Sequence, residues 1–208
     1  MQQRRQLVIA TTNPHKVEEF RAILADLPYT LISLADLGVM QDVEETGDTF
    51  AANAILKAVA YADLTGLLAL ADDSGLEIDA LNGEPGIYSA RWAGADVSYE
   101  DRHRILLVRL ADVPAEQRTA RYRCAIAIAQ PAPHGLYGVV EGTLEGRIAD
   151  APAGTGGFGY DPIFYLPDQR RTVGQMSAEE KHRISHRARA AAKARALLAQ
   201  LAQDAPSR

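Results

Sequence analysis

Apolar and polar positions fall into short blocks along this chain. Gln6–Thr12 carries the apolar run Leu7-Val8-Ile9-Ala10, closed by the turn signal Asn13-Pro14, and predicts a buried strand. Val17, Phe20, Ile23, Leu24 and Leu27 then recur at spacings of three and four, the stripe of an amphipathic helix that Pro28 ends. Tyr29–Leu34 predicts a second strand. The acidic stretch Gln41–Asp48 reads as a loop, followed by a helix over about Thr49–Leu64 with Asp48 as its N-cap. Leu67–Ala71 predicts a short central strand. Ser74–Leu81 alternates around Leu76, Ile78 and Ala80 until the turn at Asn82-Gly83. Tyr99–Leu110 is amphipathic and helical. Thr119–Gln130 reads as a long strand with Tyr122, Cys124, Ile126 and Ile128 on one face, joined across Pro131–Gly135 to a strand over Tyr137–Ile148. Lys181–Leu201 predicts a terminal helix, and Gln203–Arg208 a frayed tail. This order predicts an α/β fold, a mixed sheet flanked by helices, with no internal repeat and no linker.

Composition narrows the classes. The 208 residues are 47% hydrophobic and 24% charged, ordinary values for a globular chain with a sizeable core. Cys124 is the single cysteine, so an intrachain disulfide and a cysteine-rich zinc site are excluded, and a reducing compartment fits. The net charge of -5 argues against a nucleic-acid partner. The N-terminal apolar run is too short for a signal peptide, and no window approaches the length of a membrane helix. A cytoplasmic protein without a membrane partner is expected.

Five segments carry candidate chemistry. Thr11-Thr12-Asn13-Pro14-His15-Lys16 lies where a strand gives way to a helix, a favoured anion crevice in open α/β sheets. Its hydroxyls, amide and ammonium suit phosphate oxygens, although an ordinary capped turn has the same look. Glu44-Glu45-Thr46-Gly47-Asp48 is acidic and would by itself be a solvated face. Asp72-Asp73-Ser74-Gly75 follows an apolar strand. Neighbouring side chains on a strand point in different directions, so one carboxylate can face a ligand while the other faces the fold. Carboxylates there can hold Mg²⁺, which prefers oxygen ligands and is shared with substrate phosphates. A turn is the alternative. The glycine-rich loop Ala151–Pro162 matches G-x-G-x-x-G at Gly154, Gly156 and Gly159. It lacks a strand running in and a helix running out, so the dinucleotide reading is rejected in favour of a loop presenting Phe158, Tyr160 and Asp161. Phe158 would stack on a base or plug the core. Lys181, Ser185, His186 and Arg187 form a donor cluster. His182 and His186 lack a third zinc ligand, and Arg189, Lys193 and Arg195 read as a solvated face. No P-loop and no G-x-S-x-G elbow occurs.

Six stretches in order resemble the inosine/xanthosine triphosphate pyrophosphatases, closest to their bacterial branch. They are T-T-N-P-H-K (11–16), E-E-T-G-D-T-F-A-A-N-A-I-L-K-A (44–58), A-D-D-S-G-L (71–76), P-G-I-Y-S-A-R-W-A-G (85–94), G-T-G-G-F-G-Y-D-P-I-F (154–164) and E-E-K-H-R-I-S-H-R (179–187). The resemblance implies Mg²⁺-dependent hydrolysis of ITP, dITP or XTP to the monophosphate and pyrophosphate. It also implies an elongated α/β fold of two lobes with a central cleft, one nucleotide pyrophosphatase domain over 1–208, and a homodimer. Carried over by motif, Thr11, Thr12, Asn13 and Lys16 would bind the phosphates with Lys57 in the same pocket, and Pro14 and His15 would belong to the same substrate-binding segment. Asp73 would be general base and metal ligand, with Glu44 or Glu45 as a second ligand, and Ser74 would touch substrate. Phe158, Gly159, Tyr160, Asp161, Lys181, His186 and Arg187 would hold the base. A non-catalytic purine-nucleotide sensor, or a hydrolase of another modified nucleoside triphosphate, is the competing expectation.

Overall fold

The fold is given by a computed structural model that describes residues 4–203. The frayed tail expected over Gln203–Arg208 falls, after Gln203, outside the described residues. A seven-stranded mixed sheet has the order β2-β1-β3-β4-β5-β6-β7. Its strands are β1 (Arg5–Ile9), β2 (Tyr29–Ser33), β3 (Leu68–Ile78), β4 (Thr119–Gln130), β5 (Gly135–Ile148), β6 (Phe164–Leu166) and β7 (Arg171–Thr172). The helices are α1 (Pro14–Ile23), α2 (Phe50–Thr65), α3 (Tyr99–Arg109), α4 (Ala178–Ile184) and α5 (His186–Gln203). β1 pairs in parallel with both β2 and β3, whereas β5, β6 and β7 pair antiparallel. The α/β class and the flanking helices are as the sequence predicts.

The chain divides into two compact units. One comprises residues 1–73, 124–142 and 187–208, the other 74–123 and 143–186. In the first, Leu7 and Ile9 of β1, Leu68 and Leu70 of β3 and Cys124, Ile126 and Ile128 of β4 pack with Phe20 of α1 and Ala191, Ala194 and Leu198 of α5. The alanines let α5 approach closely, and Tyr29 anchors it by donating its hydroxyl to the Leu198 carbonyl at 2.8 Å. In the second unit, Leu76, Ile78, Leu106, Tyr122, Ile148, Ile163 and Phe164 form the core. Each such fully buried aliphatic or aromatic side chain stabilises the fold by about 1.5–3 kcal/mol.

Four local expectations are corrected. The first helix ends at Ile23, not at Pro28. Leu24 and Leu27 continue into the core through a turn in which the Leu27 N–H donates to Leu24 O at 3.1 Å. Thr49 rather than Asp48 caps α2, its hydroxyl accepting from the Ala52 N–H at 3.1 Å. The two stretches around Asp72-Asp73 are one strand, β3, because tertiary partners neutralise the carboxylates and override their turn preference. The terminal helix is two helices, since Ser185 is extended (φ -61, ψ 157) and breaks the run. His182 and His186 therefore sit on different helices. Arg195 is also more than a solvated charge. It donates to Ile23 O at 2.9 Å at the C-terminal end of α1, where a cation is favoured, and pairs with Asp26.

The glycine-rich loop shows why it needs glycine. Gly154 has φ +81, and a Cβ built there would sit 2.1 Å from the Gly174 carbonyl oxygen. The glycines thus seat the loop on the 173–176 turn, where the Gly156 N–H donates to Gly174 O at 2.7 Å. Gly154→Ala should destabilise the protein by well over the ~1–2 kcal/mol that a left-handed conformation alone costs. Gly66→Ala, at φ +67 with nothing within 4 Å of the added carbon, should lose only that amount. Urea unfolding of both variants checks the difference.

Candidate functional site

In the first unit the strand order reverses at β1, which lies between β2 and β3, so the Thr11–Asn13 turn leaves β1 at a topological switch point. The Ala10 N–H donates to Leu70 O at 2.8 Å, which brings this turn beside Asp72 and Asp73. Both carboxylates are buried on β3, and strand alternation sends them to opposite sides. Asp72 Oδ2 lies 3.0 Å from Lys16 Nζ of α1 and 3.1 Å from Arg187 Nη2 of α5, and Arg187 Nη1 lies 2.5 Å from Glu19 Oε2. Burial alone would raise the Asp72 pKa, but the charges of Lys16 and Arg187 prevail and hold it well below the usual carboxylate range. Burial likewise opposes the Arg187 charge, and Asp72 and Glu19 outweigh it. Asp72 is therefore the carboxylate that faces the fold. Arg187, which the resemblance assigns to the base, has its two terminal nitrogens on Glu19 and Asp72.

Asp73 faces α2. Asn53 Nδ2 donates to Asp73 Oδ2 at 3.1 Å, and Lys57 Nζ stands 3.6 Å from Asp73 Oδ1 and 2.5 Å from Glu45 Oε1. Asn53 Oδ1 accepts from the Gly47 N–H at 2.8 Å, tying the acidic loop to α2. Burial pushes the Asp73 pKa up, with Lys57 opposing and the Glu45 charge adding to the rise. Burial opposes the Lys57 charge, but Asp73, Asp72 and Glu45 raise its pKa nonetheless. Of the two expected acidic ligands, Glu45 joins this group and Glu44 is exposed. Among the described residues no cluster of three or more His, Cys, Asp or Glu side chains could hold a metal by itself. Two carboxylates flanking one lysine are an oxygen donor set of the kind Mg²⁺ shares with phosphates, so the residues present fit that ion.

The N-terminus of α1 is already capped. Asn13 Oδ1 accepts from the His15 and Lys16 N–H groups at 3.0 and 3.4 Å, and Thr11 Oγ1 accepts from the Asn13 N–H at 3.2 Å. Thr12, Pro14 and His15 are exposed, and Thr11 and Lys16 are half-buried. Side chains rather than the first helical amides are thus the donors on offer.

The second unit holds a separate constellation. Asp161 is buried, its Oδ2 accepting from Lys181 Nζ and from the Phe158 N–H at 2.7 and 2.8 Å, its Oδ1 from the Tyr122 hydroxyl at 3.1 Å. Lys181 Nζ also lies 4.4 Å from the Phe158 ring centroid, within cation–π range. His186 stacks on Tyr122 with centroids 4.6 Å apart and planes at 17°. Tyr160 is buried and donates its hydroxyl to Ser89 O at 2.8 Å. Ser74 is half-buried on β3. Asp161 thus holds Lys181 and the loop backbone, and half-buried Phe158 presents the loop's aromatic face.

Sequence reasoning missed Glu19, Asn53 and Tyr122. The first two left a signal. Asn53 is a polar residue among alanines of a helix and Glu19 adjoins Phe20 on the apolar stripe, and each proves buried. Tyr122 has the pattern of one more apolar position on a strand face, and its hydroxyl partner lies 39 residues away.

The Ham1 family profile matches residues 7–197. A dITP/XTP pyrophosphatase of Symbiobacterium thermophilum is 55% identical over 194 residues, 93% of this chain and 94% of that protein. The solved Ham1 protein of Staphylococcus aureus superposes with a TM-score of 0.83 at 44% identity, covering 95% of this chain and all of that one. A HAM1 protein from Coxiella burnetii gives 0.84 at 41% identity over 94% of this chain and 99% of its own. No described helix is long and apolar enough to cross a membrane.

The two carboxylates should behave oppositely on substitution. The Asp72 pKa is depressed on folding, so its stabilisation is complete above the ordinary value of 3.8 and is lost as pH falls below it. Asp72→Asn should destabilise the fold at neutral pH by about 3–5 kcal/mol, the usual result of breaking a buried pair, and flatten the acid limb of stability against pH. The Asp73 pKa is raised on folding, so ionising it weakens the fold as pH climbs past 3.8. Asp73→Asn should leave stability at neutral pH unchanged or increased. Denaturant melts across pH separate the two.

Proposed function

This chain belongs to the Ham1 family, and we propose that it hydrolyses the non-canonical purine nucleoside triphosphates dITP, XTP and ITP to the monophosphate and pyrophosphate, cleansing the nucleotide pool. The observation that carries this reading is the buried carboxylate of Asp73 on β3, set 3.6 Å from Lys57, which also engages Glu45. In the reaction water attacks the α-phosphorus, the bond from that phosphorus to the bridging oxygen breaks, and pyrophosphate leaves. Asp73 takes the proton from the water. Its raised pKa makes it a stronger base than an ordinary carboxylate, while Asn53 fixes its orientation. Lys57 and Lys16, with the hydroxyls of Thr11 and Thr12, offset charge on the phosphates. Mg²⁺ would be held by Asp73 and Glu45 and, when bound, supplies further neutralisation of the phosphate oxygens.

The base is assigned to the second constellation. Phe158 supplies a stacking face with Lys181 against its ring, and His186, stacked on Tyr122, is read as a further contact to the base. Lys181 only donates hydrogen bonds, which suits the oxygen at ring position 6 of hypoxanthine and xanthine and mismatches the amino group of adenine. A site built around such a bond can reject the wrong group by ~10⁴-fold. Arg187, carried over as a base contact, has terminal nitrogens on Glu19 and Asp72, and it is also read as steadying Asp72 and, through it, Lys16. The enzyme is further read as a cytoplasmic homodimer, supported by the buried lone thiol of Cys124 and by Tyr88 and Val108, which are 55% and 70% exposed. Light scattering in solution tests the dimer.

A pyrophosphate-release assay with dITP, XTP, ITP, GTP and ATP tests the function. Pyrophosphate from the first three with Mg²⁺, and none after chelation, is the expected result. Comparable turnover of ATP, or release of orthophosphate alone, overturns it. Asp73→Asn should lower kcat by about 10²–10⁴-fold, the usual contribution of a general base.

A further inference from the structure

Helix α3 backs the Phe158–Asp161 loop with two aromatic side chains. Tyr99 meets Tyr160 edge to face, with centroids 5.3 Å apart and planes at 90°. Its ring also stands 3.6 Å from where a Cβ on Gly159 would lie. His103 does something more directional. Its Nε2 lies 2.8 Å from the carbonyl oxygen of Gly159. A carbonyl oxygen only accepts, so the imidazole must carry its proton on Nε2. Burial holds the His103 pKa below its ordinary value, which favours one neutral tautomer at physiological pH.

The Gly159–Tyr160 peptide is trans and planar, so its C=O and N–H point in opposite directions. Gly159 has φ +64, a region in which this residue type turns without steric penalty. Without a partner for the carbonyl, nothing in the residue's own sterics would fix that plane. We propose that His103 is a positioning residue for base selectivity: by holding the Gly159 carbonyl toward α3 it turns the Tyr160 N–H away from α3, as a fixed donor for an oxygen at position 6 of the purine. An oxygen there accepts this N–H and an amino group does not, so the fixed plane favours 6-oxopurines over adenine. This inference rests on the reading that the Phe158–Asp161 loop takes the base.

The test compares wild type with His103→Leu, His103→Asn and His103→Gln, measuring kcat and KM for dITP and dATP. Glutamine places an amide N–H near the reach of Nε2, asparagine falls short, and leucine has no donor. Loss of one neutral hydrogen bond should raise KM for dITP about five-fold in the Leu and Asn variants, with kcat little changed. The preference for dITP over dATP should fall by the same factor, and His103→Gln should restore it. A merely structural role would lower the active fraction for both nucleotides equally and leave the preference intact. An unchanged preference in the Asn variant, or an equal loss in Asn and Gln, therefore overturns the inference even if the Leu variant fails to fold. A wild-type enzyme that releases pyrophosphate from neither nucleotide, or from both alike, defeats the base-site reading instead.

Discussion

Two carboxylates side by side on a buried strand are the constraint around which the first unit is arranged. Taking one carboxylate out of water costs several kcal/mol unless a counter-charge and hydrogen bonds replace the lost solvation. Asp72 and Asp73 impose that demand twice at adjacent residues, and the alternation of β3 divides it between two sides. Lys16 on α1 and Arg187 on α5 answer the first, Lys57 and Asn53 on α2 the second. The positions of three helices relative to one strand are therefore fixed by electrostatics as well as by the apolar core.

The two sides are balanced differently, and the difference separates structure from chemistry. Asp72 has two cations within salt-bridge distance and stays ionised far into acid. Asp73 stands beside Lys57, which Glu45 also engages, and burial together with the Glu45 charge keeps its pKa raised despite Lys57 and Lys16. A group left in that state gains from an arriving cation and can accept a proton. The second unit repeats the device in a simpler form. The buried carboxylate of Asp161 fixes Lys181 beneath the Phe158 ring and pins the loop through the Phe158 N–H. In both units a buried acid converts a flexible lysine into a charge with a definite position.

The chain order of elements was legible because it depends on local periodicity. β4 falls on the predicted residues, and β1, β2, β5, α1, α2 and α3 lie within a few residues of their patterns. The largest departure has a tertiary cause. Asp72-Asp73-Ser74-Gly75 is turn-prone by composition, yet β3 runs through it because Lys16, Arg187, Lys57 and Asn53 arrive from distant parts of the chain. Ser185, one of the donor cluster, lies inside a continuous helical pattern, and its extended conformation separates α4 from α5.

By itself the sequence determined the α/β class, the single thiol, the acidic balance and the set of ordered motifs that mark this family, because each is fixed by residue identity and near-neighbour spacing. Which carboxylate faces the fold, which of Glu44 and Glu45 reaches Lys57, and what Arg187 and His103 touch were decided only by the tertiary structure. Those contacts join residues up to 168 positions apart, and no local pattern encodes the partner of a side chain that far away.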